Sequence, residues 1–359
     1  MEVRLFLWNK IKLKNMDLNN LEKVLKTEPK YRTNQTKSAV FQKLIEDWAK
    51  APGLPWELRK KLNEACPLSI KDETLISKTK DTIKTRITLK DGLKIESVLM
   101  SHNDGRNTVC VSSQVGCPLA CEFCATGKMG FKRNLKPLEI VEQILFFARY
   151  LKKDLPDRQA GPPAQAGKKR VTNIVFMGMG EPFLNYENVI EAIRIINDKN
   201  GLNIGARNIS ISTIGITEGI KKLAQEKLQI NLAISLHAPN NKLRDKIMPI
   251  NEKYPIETIL KAVDDYIKKT NRQVMFEYLL IKEVNDTDSC AKELAKLIRK
   301  PLYFLNLILY NPTGLFRPSA GERVKKFKSI LKKEGVKFSQ RYRFGEDIKA
   351  ACGQFAVKC

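Results

Sequence analysis

The chain has 359 residues, with 64 Lys or Arg against 39 Asp or Glu, and its formal net charge at pH 7 is +25. Because 43% of the residues are hydrophobic, a disordered chain is excluded, and the excess of positive charge indicates a polyanionic partner such as nucleic acid. Only two histidines are present, which excludes imidazole-rich metal sites and a histidine pair for general acid–base catalysis.

The first stretch, to about residue 95, has the pattern of a small helical and basic domain. Four apolar residues recur at i, i+3, i+4 and i+7, the spacing of one helix face: Phe41, Leu44, Ile45 and Trp48. Basic residues with few acids between them surround this stripe: Lys30, Arg32, Lys37, Lys43, Lys50, Arg59, Lys60 and Lys61. We expect residues 1–95 to form an accessory domain that contacts RNA phosphates, with a solvated charged face as the alternative.

From residue 96 to 345, short apolar runs alternate with helical patterns. The runs are TVCVSS, TNIVFMG, NISIST, INLAISL, VMFEYLLI and FLNLILY. Six strands separated by helices predict an α/β fold of parallel βα units. The expected architecture is an incomplete (β/α)6 TIM-like barrel with its site at the carboxyl ends of the strands, and an open doubly wound sheet is the alternative.

Two segments depart from this alternation. LPDRQAGPPAQAGKKR is rich in Pro, Ala, Gly and Gln, which predicts a flexible surface insertion at residues 156–169. Residues 346–359 form a tail that carries Cys352 and Cys359. Because no run is long enough for a membrane span or a signal peptide, we expect a cytoplasmic protein without membrane contact. Its eight cysteines then indicate metal ligands, reactive thiols or small buried residues before disulfides.

The spacing of three cysteines is the most specific feature of the sequence. Cys117, Cys121 and Cys124 lie within eight residues, directly after the first barrel strand. A structural zinc site would want a fourth ligand, and neither histidine lies at a suitable spacing. Three thiolates suit an iron–sulfur cluster with one iron left open to a substrate, with zinc or chance spacing as the alternatives.

The CxxxCxxC loop resembles that of the radical S-adenosylmethionine superfamily. The runs VCVSSQVGCPLACEFCATGKMGFKRNL, FMGMGEP, ISTIGI, ISLHAPN, MPIN, NLILYNPTG and GEDIKAACGQ further resemble the dual-specificity 23S rRNA and tRNA adenine-C2 methyltransferases. These motifs extend over residues 96–354. The resemblance implies a [4Fe-4S] cluster on the three cysteines, two S-adenosylmethionine molecules per turnover, both RNAs as substrates, an electron-donating reductase system and a monomer.

The same resemblance assigns the contacts of S-adenosylmethionine to the ends of the predicted strands. They are Gly180, Glu181, Ser212, Ser235, Leu236, His237 and Asn311. Small and hydroxyl-bearing residues at this rim let a bound nucleoside approach closely, and Glu181 can accept from the ammonium group of the methionine moiety. Without the resemblance, His237 would be a satisfied structural histidine.

Carbon 2 of adenine has no lone pair for a polar methyl transfer, so its methylation needs a radical route. The resemblance implies that one S-adenosylmethionine methylates Cys352 and that a second is cleaved to a 5′-deoxyadenosyl radical, which takes a hydrogen from that methyl group. The methylene radical adds to adenine, Cys110 resolves the adduct as a disulfide, and Glu96 is the proton acceptor. Without the resemblance, Cys110 is a buried strand residue, Cys352 an ordinary tail thiol, and Glu96 a surface ion-pair partner beside Lys94.

Two other functions remain open from the sequence. Methylation at carbon 8 of adenosine is the first, although GEP after the second strand and GFKRNL favour carbon 2. A non-catalytic RNA-binding or zinc-stabilised protein is the second. Cys66 and Cys290 are interpreted as structural, and Cys359 has no counterpart in the pattern.

Overall fold

The computed structural model describes residue 18, residues 20–153 and residues 170–356. The predicted insertion at 156–169 and Cys359 therefore lie outside the described residues. The strands are β1 (Lys71–Ile76), β2 (Thr82–Thr88), β3 (Lys94–Ser101), β4 (Asn107–Val111), β5 (Gln114–Gly116), β6 (Phe131–Asn134), β7 (Asn173–Phe176), β8 (Ile209–Thr213), β9 (Asn231–Ser235), β10 (Val274–Leu280), β11 (Tyr303–Leu309) and β12 (Phe338–Gln340). The α-helices are α1 (Leu21–Leu25), α2 (Lys30–Lys37), α3 (Trp56–Ala65), α4 (Pro137–Lys152), α5 (Tyr186–Asn197), α6 (Thr217–Leu223), α7 (Asn241–Ile247), α8 (Ile256–Thr270), α9 (Asp288–Ile298) and α10 (Gly321–Lys333).

One sheet of ten strands organises the chain, in the order β1-β2-β3-β4-β7-β8-β9-β10-β11-β12. Strands β4 and β7 to β12 run parallel, whereas β1 to β4 pair antiparallel. The six predicted apolar runs are β4, β7, β8, β9, β10 and β11, so the prediction of parallel βα units is confirmed. The sheet is open between β1 and β12, as an incomplete barrel requires, and the carboxyl ends of its parallel strands share one edge.

The helices cover this sheet through apolar faces. In α5, Val189, Ile190, Ile193 and Ile196 are all buried, at the spacing that the sequence predicted. The longest helix, α4, begins with Pro137 at its first turn, where a missing N–H costs nothing. Among the described residues, we find no helix with the length and apolar character needed to cross a bilayer.

The amino-terminal region is only partly helical, which corrects the expectation of helix to residue 95. Its helices end at Ala65, and β1 and β2 extend the barrel sheet instead. The four apolar residues do not share one regular helix, because a π-helical turn covers Ser38–Gln42 and Leu44 has a left-handed φ of 56°. Trp48 is nevertheless fully buried, and its Nε1 donates to Cys66 O at 2.7 Å.

Candidate active site

The three clustered cysteines lie in a loop that a small hairpin closes. Strands β5 and β6 pair on either side of the loop, and Cys117 N–H donates to Gly130 O at 3.0 Å. A Cβ at Gly116, whose φ is 76°, would lie 1.8 Å from Gly130 O. Only glycine allows this close approach, so the hairpin holds the thiol loop over the rim of the sheet.

The chemistry of these thiols fits a cluster. Burial raises the pKa of Cys117 to about 12 and that of Cys121 well above its usual value, and the neighbouring thiols raise both further. A bound cationic centre would deprotonate thiols that are otherwise neutral here. Over the described ranges, no three His, Cys, Asp or Glu side chains are close enough to hold a single ion.

The register of the strands places the polar and reactive residues of the candidate site on one face of the sheet. In neighbouring strands, residues that are paired directly point to the same side, and the side alternates along each strand. Following the pairs from Arg86↔Glu96 through Val98↔Cys110 and on to β12 puts one group of side chains on that face. Besides Lys84 and Arg86 of β2, this group includes Glu96, Cys110, Ser212, Ser235, Glu277 and, directly after β12, Arg341.

Gly180 and Glu181 follow β7 and contact Gln114 of β5 and Ile214 after β8. Gly180 has a φ of 95°, and a Cβ there would lie 2.5 Å from Gln114 Cβ. Glu181 is buried, and its Oε1 and Oε2 accept from Phe183 N–H and Ile214 N–H, each at 3.0 Å. Burial raises the pKa of Glu181 to about 7, while these hydrogen bonds oppose that shift. The Thr213 side chain also hydrogen-bonds this carboxylate. A carboxylate accepts about four hydrogen bonds, so one acceptor position is left for a ligand donor.

Two serines and a glutamate meet at the carboxyl ends of β8, β9 and β10. Ser212 Oγ donates to Glu277 Oε2 at 3.0 Å and lies 3.4 Å from Ser235 Oγ. The other carboxylate oxygen, Glu277 Oε1, is buried, has no hydrogen-bond partner among the residues that the structure describes, and lies 3.7 Å from Arg341 Nη1. This oxygen is an unsatisfied acceptor at the rim, and a nucleoside hydroxyl or amine would satisfy it.

His237 is held as a neutral imidazole. Its Nδ1 accepts from Leu279 N–H at 3.2 Å, so the ring proton lies on Nε2. Burial lowers its pKa to about 3. Its φ of 56° turns the chain sharply after Leu236, and its ring stands edge-on to Phe123 of the cysteine loop with the centroids 4.9 Å apart. His237 therefore joins the end of β9 to the cysteine loop.

Asn311, directly after β11, contacts the tail. Its Nδ2 donates to Cys352 O at 3.3 Å, and its Oδ1 is buried with no hydrogen-bond partner in the described part of the chain. Cys352 and Cys110 line the same cavity of about 30 Å³, together with Met177 and Arg341. Burial raises the pKa of Cys110 to about 12 and that of Cys352 above its usual value, whereas Arg341 lowers both. Neither cysteine forms a disulfide in this structure.

Glu96 is a buried residue, so its interpretation as a surface ion-pair partner of Lys94 is wrong. Its exposed fraction is 1%, and Lys94 pairs with Glu73 at 3.3 Å. Instead, Glu96 Oε2 lies 2.8 Å from Lys84 Nζ and accepts from Ala356 N–H in the tail at 3.0 Å. The structure thus brings Glu96, Cys110 and the tail together beside the rim.

Sequence reasoning missed Lys84, Arg244, Glu277 and Arg341. Arg244 is fully buried and donates to the carbonyls of Ile214, Ser235, Leu236 and Tyr254 and to Asn251 Oδ1. It thereby fixes the ends of β8 and β9. Glu277 had a visible signal, because it is the one charged residue in the apolar run VMFEYLLI. The other three had none that a local pattern could supply.

Comparison with known proteins finds relatives that match this chain over nearly its whole length. The family model of the radical SAM superfamily matches residues 111–298, more than half of the chain. A probable dual-specificity RNA methyltransferase RlmN of Dictyoglomus thermophilum is 44% identical over 95% of both chains. A ribosomal RNA large subunit methyltransferase N of Nitrosopumilus maritimus is 44% identical over 90% of this chain and 92% of its own. The crystal structure of a radical SAM methyltransferase from Sphaerobacter thermophilus matches with a TM-score of 0.86 and 41% identity, over 96% of this chain and 99% of that one.

Proposed function

The chain belongs to the radical SAM superfamily and, within it, to the dual-specificity RNA methyltransferases, and on that premise we propose that it methylates carbon 2 of adenine in 23S rRNA and tRNA. One observation carries the proposal. Cys352 on the tail and Cys110 on β4 line one cavity beside the cysteine loop, with Glu96 on the same face of the sheet as Cys110. A methyl carrier, a resolving thiol and a proton acceptor are thus available together.

Members of this superfamily hold a [4Fe-4S] cluster and S-adenosylmethionine, and here Cys117, Cys121 and Cys124 would hold the cluster. When bound, the cluster supplies the electron for reductive cleavage of S-adenosylmethionine. The proposed contacts for S-adenosylmethionine are Gly180, Glu181, Ser212, Ser235, Leu236, His237 and Asn311. The unsatisfied Oδ1 of Asn311 supports this assignment, because a buried acceptor without a partner favours a ligand that donates to it.

Cys352 is the proposed methyl carrier and Cys110 the resolving thiol. A thiol becomes a nucleophile only as a thiolate, and burial holds both groups neutral. The Arg341 guanidinium favours the ionised form of either sulfur, so it would assist the thiol that reacts. Attack of the Cys110 thiolate on the Cys352 sulfur would form the disulfide and break the bond between that sulfur and the methylene carbon on adenine. The electron pair of the broken bond stays on the carbon, which takes up a proton to become the methyl group of the released RNA. A reductase system would then supply the two electrons that restore both thiols.

The small cavity constrains how the RNA reaches these thiols. A volume of about 30 Å³ holds about two water molecules and no nucleobase. The tail would therefore move before adenine reaches Cys352. Because the proposed cycle needs reduced thiols, we place the protein in the cytoplasm, and we propose that it acts as a monomer.

The amino-terminal helices are the proposed first contact with RNA. Trp56 and Tyr31 are 64% and 55% exposed, with Arg59 over the indole at 5.5 Å and Arg32 over the phenol ring at 4.9 Å. Arg32 Nη1 also donates to Gly53 O at 2.8 Å, which ties the start of α2 to the loop before α3. Exposed aromatic rings beside cations suit unpaired bases, and the nearby lysines suit phosphates.

Anaerobic methylation assays test the proposal. The reconstituted protein is incubated with S-adenosylmethionine, a reductant and either 23S rRNA fragments or tRNA, and the digested nucleosides are separated and identified by mass spectrometry. We expect 2-methyladenosine from both RNAs. Product at the chromatographic position of 8-methyladenosine would show that the enzyme methylates carbon 8 and not carbon 2. A colourless zinc-containing preparation without product would favour the non-catalytic alternative.

A further inference from the structure

The tail segment that carries Cys352, residues 345–356, is attached to the fold largely through its main chain. Ala125 N–H donates to Gly353 O and Thr126 Oγ1 donates to Phe355 O, both at 2.7 Å. Asn311 Nδ2 donates to Cys352 O at 3.3 Å. These neutral hydrogen bonds fix the backbone and do not involve the sulfur of Cys352.

One attachment differs because it is charged and buried. Lys84 Nζ lies 2.8 Å from Glu96 Oε2 and donates to Lys349 O at 3.0 Å. It also lies 5.5 Å from the centroid of the Phe355 ring. Glu96 Oε2 accepts from Ala356 N–H at 3.0 Å. The buried ion pair therefore contacts the tail on both sides of Cys352, before it at Lys349 and after it at Phe355 and Ala356.

The geometry explains why the two charges stay together. The Lys84 and Glu96 side chains are 9% and 2% exposed, and separating a buried pair would leave an uncompensated charge. On the neighbouring strand, Arg86 Nη2 lies 3.8 Å from Glu96 Oε1, so both carboxylate oxygens face a cation. The hydrogen bond from Ala356 N–H to Glu96 can break without leaving a buried charge unpaired.

We propose that Lys84 is a positioning residue that binds the Glu96 carboxylate and the cysteine-bearing tail together, so that Glu96 becomes accessible to the RNA only when the tail is released. The catalytic half of this statement rests on the proposed function of Glu96. The structural half, that Lys84 holds the tail, does not. In the closed arrangement Oε2 is shared between Lys84 and Ala356, and after release Lys84 still orients the carboxylate toward the vacated space.

Hydrogen–deuterium exchange of the full-length protein, without RNA or S-adenosylmethionine, tests the structural half. Lys84→Met removes the charge and keeps the length of the side chain, and Lys84→Arg keeps the charge. Lys94→Met is the matched control, because Lys94 is on the adjacent strand and its Nζ pairs with the exposed carboxylate of Glu73. We expect exchange of residues 345–356 to be about tenfold faster in Lys84→Met, the effect of losing one charge-assisted hydrogen bond. Lys84→Arg should restore slow exchange, and Lys94→Met should match the unmodified chain.

Unchanged tail exchange in Lys84→Met overturns the proposal. If that variant loosens the whole fold, Ala356→Pro tests whether the ion pair holds the tail. Proline removes the tail donor to Glu96 and leaves the ion pair of Lys84 and Glu96 intact. Faster tail exchange with an unaltered sheet is the expected result, and unaltered tail exchange refutes the attachment.

A second measurement tests the link to catalysis. In Lys84→Met, methylation of Cys352, seen as a mass increase of the protein, should persist while RNA methylation falls at least tenfold with the cluster absorption intact. Equal loss of both activities would mean that Lys84 does not act through Glu96. An unmodified chain that yields no 2-methyladenosine would refute the proposed function instead, and the exchange result would stand without it.

Discussion

Replacing Gly180 by alanine tests whether the loop after β7 builds the binding site for S-adenosylmethionine. Its φ of 95° is a conformation that costs a side chain about 1 to 3 kcal/mol. The added Cβ would lie 2.5 Å from Gln114 Cβ and 2.8 Å from its Oε1, and such overpacking costs about 1 to 3 kcal/mol more. We expect a total loss of about 2 to 6 kcal/mol, hence a melting temperature lower by about 3 to 8 °C for a chain of 359 residues.

The same substitution should weaken S-adenosylmethionine binding, because Gln114 Oε1 accepts from Glu181 N–H at 2.8 Å. Pushing Gln114 away displaces the main chain at Glu181, a proposed ligand contact. Thermal unfolding and anaerobic equilibrium dialysis measure the two effects. Gly205→Ala is the control, since the added Cβ there meets no atom closer than 3.8 Å. A Gly180→Ala protein with unchanged melting and unchanged affinity would refute the reasoning.

Four other substitutions test separate parts of the site. Cys352→Ala should abolish protein-bound methyl and RNA methylation while visible cluster absorption persists; retained RNA methylation contradicts the covalent carrier. Cys110→Ala should accumulate a protein–RNA adduct, seen as a shifted band on a denaturing gel, and normal turnover would remove its resolving role. Trp56→Ala should weaken RNA binding by about 5- to 100-fold, the loss of one stacked base, and abolish quenching of tryptophan fluorescence by RNA; unchanged affinity excludes stacking there. Arg244→Met removes the donor to four carbonyls and to Asn251 Oδ1, so chemical denaturation should show a loss of about 3 to 5 kcal/mol, the cost of two or three buried acceptors left unsatisfied at about 1 to 3 kcal/mol each, and a loss smaller than about 1 kcal/mol would show that these bonds matter little.

The sequence predicted what depends on local patterns. The apolar runs identified the parallel strands because burial on both faces leaves a short continuous signature. The cysteine spacing selected the loop to which the proposed cluster is assigned. The failure between residues 71 and 88 has a physical cause. β1 is an edge strand rich in charged residues, and β2, which lies between β1 and β3, carries Lys84 and Arg86 among its inner positions, so neither strand has a continuous apolar signature.

Local sequence patterns do not predict contacts between residues that are far apart in the chain. Lys84 reaches the carbonyl of Lys349, 265 positions away, and Glu96 reaches Ala356, 260 positions away. Glu277 is in β10 and Arg341 directly follows β12. The two side chains come close because both strands pair with β11 in the sheet. Such pairs follow from strand register, which a sequence without its sheet order does not specify.

Release of the tail is the step that the proposed transfer to adenine requires. The cavity around Cys352 is smaller than a nucleobase, so adenine reaches the sulfur only after the tail has moved. Asn311 Nδ2 donates to Cys352 O, while Asn311 Oδ1 has no partner among the described residues and can accept from a ligand without breaking the tail bond. A ligand contact at Oδ1 and release of the tail are therefore separate events, and we propose that the buried pair of Lys84 and Glu96 holds the contact that the second event breaks.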